Sequence, residues 1–439
     1  MRPSLLIIPA NETPGVLMPQ IPFNGTADFT VSRTTTPANN STRVNSSGLI
    51  EIVNDNVPRI DYLNQSCPAL LVEASGTNQI RNNSMVGAVT GSPGTLPTNW
   101  TIPGAAGLTR EIVGIGTENG ISYIDIKLSG TATGTETEIR LESPTQIVAA
   151  NGQTWTESIY LKSISQPAPP LSYRLFMIQR TILGTIVANT LSPNVSVDTS
   201  LNRFSFTTTL AGGPTVERVQ PSIFISLTNG ASYDFTIRIG YPQMEQSSFA
   251  TSVIPTTSGT RSRAADVISA SGALVSGLIG QTEGTIYAEV DIRNMAKETY
   301  ILEIDDGVNA NRVLLRSLTD NKMRGSIVAT TSSGTIGISS ATFNAGIIKI
   351  AFAYKSGDLA ISVNGATALT ASGTFTFGAS LNRVTLGSIG GGGSQLNDRI
   401  RAAALYTTRL SNDDLIRLTL PSTYVTYNDM ALGLAYTIK

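Results

Sequence analysis

The chain has 439 residues, enough for two or three domains, and 41% of them are hydrophobic, enough to fill sizeable cores. Only 14% are charged and the formal net charge is −1, so nothing in the charge balance points to nucleic acid or an anionic membrane. There is no histidine and one cysteine, Cys67, which excludes histidine-based triads, histidine or Cys/His metal sites and internal disulfides, but not carboxylate-pair hydrolysis or oxygen-ligated calcium.

Residues 1–80 are rich in Pro, Asn and Thr and lack long alternating runs. They read as an extended arm with small strands, poor in core-forming capacity. The apolar start, Leu5 to Ala10, is too short for a membrane-spanning helix or a usual secretory core. A soluble protein with no export signal and no membrane insertion is the expectation. Cys67, beside Pro68 in an apolar run, reads as a small buried hydrophobe.

From there the dominant period is two. "YIDIKLSG", "QTWTESIYLKS" and "RFSFTTTL" alternate, and "YDFTIRIGY" puts Phe235, Ile237, Ile239 and Tyr241 on one face. "GTIYAEVDI" sets Ile286, Ala288, Val290 and Ile292 against Tyr287, Glu289 and Asp291. "IIKIAFAYK" follows, and "DLAISVNG" aligns Leu359, Ile361 and Val363 before Asn364-Gly365, a hairpin-turn signal. Half-buried strands joined by short Gly/Asn turns imply antiparallel sheets packed as sandwiches. One helix is expected in "TTRLSNDDLIRLTLP", Thr407 to Pro421. Ser411 caps it, Asp413 and Asp414 occupy its first turn, Leu415, Ile416 and Leu418 form its apolar face, and Pro421 stops it. The resulting expectation is an all-β chain of two antiparallel β-sandwich lobes behind an extended arm. The arm is 1–80, the lobes are 81–254 and 282–439, and a bridge of 255–281 joins them.

The passage into that bridge, "PQMEQSSFATSVIPTTSGTRSRAAD", carries a family resemblance. Gln243-Met244-Glu245, the run Thr251 to Thr256, and Arg263-Ala264-Ala265-Asp266 match in order the exit of the carbohydrate-binding-module-like jelly roll common in bacteriophage structural proteins. "LPTNWTI" and "QTWTESIYLKS" fit the same jelly roll, so the resemblance covers about residues 80–266. It implies a structured bridge in which Gln243, Glu245, Arg261, Arg263 and Asp266 take part, the arginines anchoring on neighbouring carbonyls or on Asp266. "VSRTTTPANNSTRVNSSGLIEIVNDNVPRIDY" with "CPALLVEASGTN" resembles the N-terminal region of phage tail or virion proteins, except that Gly76 stands where an arginine is usual. "EGTIYAEVDI", "LAISVNGA" and "IRAAALYTTRLSNDDLIRLT" resemble a laminin-G or concanavalin-A-like sandwich.

Sugar sites stack rings on aromatics, which makes Trp100, Tyr173, Tyr300 and Tyr354 glycan-binding candidates, although Trp100 and Trp155 sit where the resembling jelly roll uses aromatics structurally. Asp305, Asp306 and Asn309 are weak candidates for calcium, the one cofactor considered; Asp-Gly there reads first as a turn. Asp305 and Asp306, adjacent on a strand, point to opposite faces and do not make a glycosidase pair. Glu136 and Glu138 share a strand face and read as solvated. The glycine-rich Gly387–Gln395 lacks the Lys-Ser/Thr ending of a phosphate cradle. Asn-x-Ser/Thr triplets at Asn24, Asn64 and Asn99 read as chance products of composition.

The resemblances imply a non-enzymatic virion fibre protein, on head or tail. It would be a homotrimer on the virion exterior, attached to other virion proteins by its arm and presenting lobes to host-surface polysaccharide. The alternative is an architectural decoration protein that binds no glycan.

Overall fold

The computed structural model describes residues 3–7, 29–34, 41–64, 68–165, 171–293, 296–330 and 334–421. Cys67 and Asn24 lie outside the described residues. The fold is all-β, with two sandwich-like lobes, a helix at Asn412–Thr419 and a four-residue helical turn at Ala273–Ser276 that sequence patterning does not signal. Among the described residues the strands of the two lobes pair antiparallel.

One lobe comprises residues 1–39, 43–75 and 264–439. Its larger sheet runs Leu369–Ala371, Leu359–Val363, Gly346–Lys355, Glu283–Ile292, Asp398–Tyr406, Ala69–Val72, Ile60–Asp61, with Leu5–Ile7 also paired to Asp398–Tyr406. The facing sheet runs Thr30–Ser32, Val267–Ser271, Arg383–Leu386, Thr299–Asp305, Arg312–Ser317, Lys322–Val328, Ile336–Thr342. Ile286, Ala288, Val290 and Ile292 enter the core between them, as the alternation requires. Asn364 and Gly365 both take positive φ (49° and 74°), and the Ala366 N–H donates to the Val363 carbonyl, which closes the tight turn that Asn-Gly favours.

Two sequence expectations change in this lobe. The described parts of residues 1–80 supply core: Leu5, Ile7, Phe29, Val31, Ile60, Leu70 and Val72 are buried in it. Their strands are two to four residues long, too short for a period of two to show. Second, Tyr287 and Glu289 are not on a solvated face. Both are buried, and Tyr287 joins Ala351, Ala353, Ala360, Ala402, Ala404 and Leu415 in a smaller cluster behind the sheet. Leu415 comes from the helix, which the Ser411 hydroxyl caps by accepting from the Asp414 N–H at 3.2 Å. The run of small residues on the sheet lets the helix pack closely, so this sheet is covered on both sides.

The other lobe comprises residues 40–42 and 76–263. A four-stranded sheet (Glu136–Arg140, Arg218–Ser226, Tyr173–Arg180, Ile186–Leu191) and a five-stranded sheet (Asn202–Thr209, Thr154–Ser165, Ser232–Glu245, Ile121–Thr131, Thr109–Glu118) enclose a core that includes Ile124, Leu128, Trp155, Ile159, Leu175, Ile223, Phe235 and Ile237. The expected face Phe235, Ile237, Ile239, Tyr241 holds for its first three members. The register against Thr154–Ser165 then slips after Gly240, and Tyr241 has φ 35°, so a bulge takes it out of the row.

Candidate functional site

The aromatic residues singled out in the sequence do not form a sugar platform. Trp100 is in the core and donates its indole N–H to the Asn82 carbonyl at 3.0 Å. Tyr173 is wholly buried, and Tyr354 is buried with its hydroxyl donating to the Gly280 carbonyl at 2.7 Å. Burial pushes both phenols above the usual tyrosine range. Tyr300 alone of the four is half-buried, with Arg316 5.8 Å from its ring centre. Trp155 is core as well.

The carboxylates are equally committed. Asp305 pairs with Arg383 at 2.9 Å, and Arg383 also donates to the Asn309 side-chain oxygen at 2.9 Å. Asp306 accepts from the Asn311 amide and from the N–H groups of Val308, Ala310 and Asn311, which makes it a turn-forming residue. Burial raises its pKa, but those donors outweigh it and hold it below the usual value. Among the described residues there is no cluster of three or more acidic or cysteine side chains able to hold a metal. Glu136 is exposed, and Glu138 pairs with Arg140 at 2.5 Å. The glycine-rich loop closes on itself through the Leu396 N–H to the Gly387 carbonyl (2.7 Å), and its Gly390 N–H donates to the buried Glu303 carboxylate.

The motif residues before the lobe boundary form a buried polar knot. Gln243 donates to Glu245 at 2.7 Å and accepts from the Ile254 N–H at 2.8 Å. Glu245 also accepts from the Thr251 hydroxyl (2.7 Å) and N–H (3.0 Å). Arg263 donates to Thr251 and Ser252 at 3.3 and 3.0 Å, and Arg261–Arg263 pairs as a strand with Gly76–Asn78. Gly76 packs so tightly that a Cβ there would lie 2.7 Å from the Glu245 carboxylate, so an arginine at this position would displace the knot. In the other lobe Asp266 is the centre of a second buried cluster, paired with Arg33 (2.7 Å) and Arg59, with Arg59 also on Glu73 (2.6 Å).

The richest accessible chemistry lies on the outer face of the five-stranded sheet. Alternation turns Ile124, Ile126, Phe235, Ile237, Ile159 and Leu161 inward, and so turns Tyr123, Asp125, Arg238, Tyr160, Lys162 and Arg203 outward. The register assembles them into two adjacent rows. In one, Arg203 stands opposite Tyr160, Tyr160 opposite Gly240, Gly240 opposite Tyr123, and Tyr123 opposite Gly116. In the next, Lys162 stands opposite Arg238, Arg238 opposite Asp125, and Asp125 opposite Gly114. The two tyrosines are thus two strand spacings apart, roughly 10 Å at the backbone. Glycine leaves room at the row ends: a Cβ at Gly114 would lie 2.6 Å from the Asp125 carboxylate, and at Gly116 2.9 Å from the Tyr123 hydroxyl, so either side chain would have to shift.

Charge on this face is mostly paired internally. Arg238 grips Asp125 with two bonds of 2.8 Å, reaches Glu118 at 2.5 Å, and stacks 3.4 Å from the Tyr123 ring centre. Lys162 donates to Glu118 at 2.7 Å. The hydrogen bond from Lys162 does most to hold the Glu118 carboxyl below its usual range; burial opposes it, and Arg238 adds to the lowering. Hydrogen bonding to Asp125 raises the Arg238 pKa, so its charge is permanent. The Tyr160 side continues into hydroxyl pairs, Thr156–Thr207 at 2.8 Å and Thr154–Thr209 at 2.9 Å, with Ser158 opposite Ser205; Thr156 and Ser158 are buried, and Ser205, Thr207 and Thr209 are exposed. Tyr123, Tyr160, Arg203, Arg238 and Lys162 are all half-buried and so reachable from solvent. Elsewhere in this lobe a shallow cleft of about 470 Å³ is lined by residues including Thr95, Pro97, Asn99, Trp100 and Arg110. Arg110 is spent there on the Pro93 and Gly94 carbonyls.

The alternation signals four of the five strands that carry this face, Thr109–Glu118 being the exception, but none of its residues as a site. Each strand contributes only one or two residues to the two rows, and cross-strand register is what joins them.

No family model matches the chain, and no curated protein matches it. Solved structures with a similar course include CBM40 of Ruminococcus gnavus IT-sialidase, 17% identical over 32% of this chain and 85% of that one, TM-score 0.29. Mouse laminin alpha1 domains LG4-5 are 11% identical over 71% and 99%, TM-score 0.26. A Limulus polyphemus SAP-like pentraxin is 15% identical over 31% and 69%, TM-score 0.26. Likenesses this low carry no argument about function.

Proposed function

We propose that this chain is a non-catalytic structural protein of a bacteriophage virion, a head or tail fibre subunit on the virion exterior that contacts host-surface glycans. The observation that carries glycan contact is the two-row sheet face, with two tyrosine rings, serine and threonine hydroxyls and fixed charges. Aromatic faces attract the weakly positive C–H surface of a sugar ring, and hydroxyl and amide or charged donors orient its hydroxyls. Such a shallow site binds weakly, and a trimeric fibre on a virion would raise its avidity by factors of roughly 10² to 10⁴. The virion setting is supported by the ordered motifs from Gln243 to Asp266 and by the N-terminal pattern up to Asn78, and this reading gives attachment to other virion proteins to the first eighty residues.

A second reading, architectural decoration without glycan binding, is favoured by one feature: Arg238 already covers the Tyr123 ring. The two separate in a pull-down of the full-length protein with intact susceptible cells, using soluble host polysaccharide as competitor. Saturable, competable binding that Tyr160→Ala weakens several-fold supports the glycan reading. Absence of binding by folded, oligomeric protein leaves the architectural one.

A further inference from the structure

Arg203 differs from the other cations of the sheet face. Arg238 holds Asp125 and Glu118, Lys162 holds Glu118, and Lys127 holds Asp234 at 3.0 Å. Arg203, half-buried at the head of the tyrosine row, donates to the Ser158 hydroxyl at 2.9 Å and stacks 5.8 Å from the Tyr160 ring centre. Among the described residues no carboxylate lies within ion-pair distance of it. Its Nε is buried and one terminal nitrogen holds Ser158, so a carboxylate meets it along the edge between the two terminal nitrogens; Tyr160 and the Ser158 bond hold it in place before any ligand arrives. The same face thus offers, next to one another, a ring for stacking, hydroxyls, and a preorganised cation with its charge uncompensated.

We infer that this face takes an acidic oligosaccharide, with a sugar carboxylate on the Arg203 guanidinium and the adjoining ring over Tyr160. The inference rests on the glycan-binding reading above and narrows its ligand. On this assignment Asp125 and Glu118 have a second part: by neutralising Arg238 and Lys162 they confine the free positive charge to the Arg203 end, so that a carboxylate is taken there and not at Tyr123.

The test uses the full-length protein and immobilised oligogalacturonate, alginate and hyaluronan fragments, each beside its carboxyl-reduced counterpart. At least one acidic member should be bound about tenfold or more tightly than its reduced form, which corresponds to about 1.4 kcal/mol. Arg203→Gln should bring the acidic form down to the level of the reduced one, Arg203→Lys should retain part of the difference, and added salt should narrow it. Thermal unfolding checks that the variants keep the parent fold. Equal binding of acidic and reduced sugars, or no effect of Arg203→Gln, overturns the acidic assignment while leaving glycan binding standing. Binding of no member, acidic or reduced, overturns both.

Discussion

Replacing Asp266 with alanine removes the centre of a buried charge cluster. The Asp266 side chain is 1% exposed and those of Arg33 and Arg59 are fully buried. One carboxylate oxygen accepts from Arg33 at 2.7 Å, and the other accepts from Arg59 and from the Glu73 N–H at 2.9 Å. Burial by itself would lower the Arg59 pKa, but the Asp266 and Glu73 carboxylates raise it above the usual arginine value, so the guanidinium cannot escape by losing its proton. Arg59 keeps Glu73 in the variant and Arg33 keeps the Asn54 and Val57 carbonyls, which softens the loss without neutralising either cation. Breaking a buried ion pair by removing one partner costs about 3–5 kcal/mol. In a lobe of this size each kcal/mol is worth about 2–4 °C, so the midpoint should fall by roughly 6–20 °C. Calorimetry of parent, Asp266→Ala and Asp266→Asn checks it. The asparagine variant should lose the charge pairing but spare an acceptor for Glu73, leaving it about 1 kcal/mol better than alanine. Arg33, Arg59 and Glu73 all come from the N-terminal residues, so a change under about 1 kcal/mol in both variants would refute the reasoning that this cluster helps tie them into the lobe.

Two further outcomes follow from other buried features. Glu157 is fully buried between the sheets of its lobe beside the N–H groups of Phe176 and Ser222, and burial, only partly offset by those donors, raises its pKa well above the ordinary 4.5. A folded-state value above the unfolded one favours the fold at low pH, and that contribution is lost as pH climbs from about 4.5 through the folded-state pKa. Denaturant unfolding of Glu157→Gln should therefore show a gain over the parent that grows from pH 4 to pH 7, and a gain independent of pH would be contrary to this. Gly325 faces Phe352, and a Cβ there would lie 2.2 Å from the ring. Gly325→Ala should cost about 1–3 kcal/mol by overpacking, measured by urea unfolding, whereas alanine at Gly259, where a Cβ meets nothing within 4 Å, should cost little.

Much of the fold was legible because it rests on local rules. A period of two places Ile286, Ala288, Val290 and Ile292 on one face wherever the strand sits, Asn364-Gly365 specifies a turn from its own backbone preferences, and Ser411 with Asp413 and Asp414 starts a helix without outside help. The sequence by itself thus determined an all-β chain, its main strands and its closing helix. Only tertiary structure decided what those strands enclose. Tyr173 and Tyr354 read as candidates for a sugar platform until a second sheet covers them, and Leu5, Val31 and Leu70 look like parts of a thin arm until they pair with strands hundreds of residues away. Tyr160, Gly240, Tyr123 and Arg203 are unremarkable one at a time. They become neighbours on one face because hydrogen-bonded register sets them side by side, and register between strands far apart in the chain is fixed by the packing of the whole lobe.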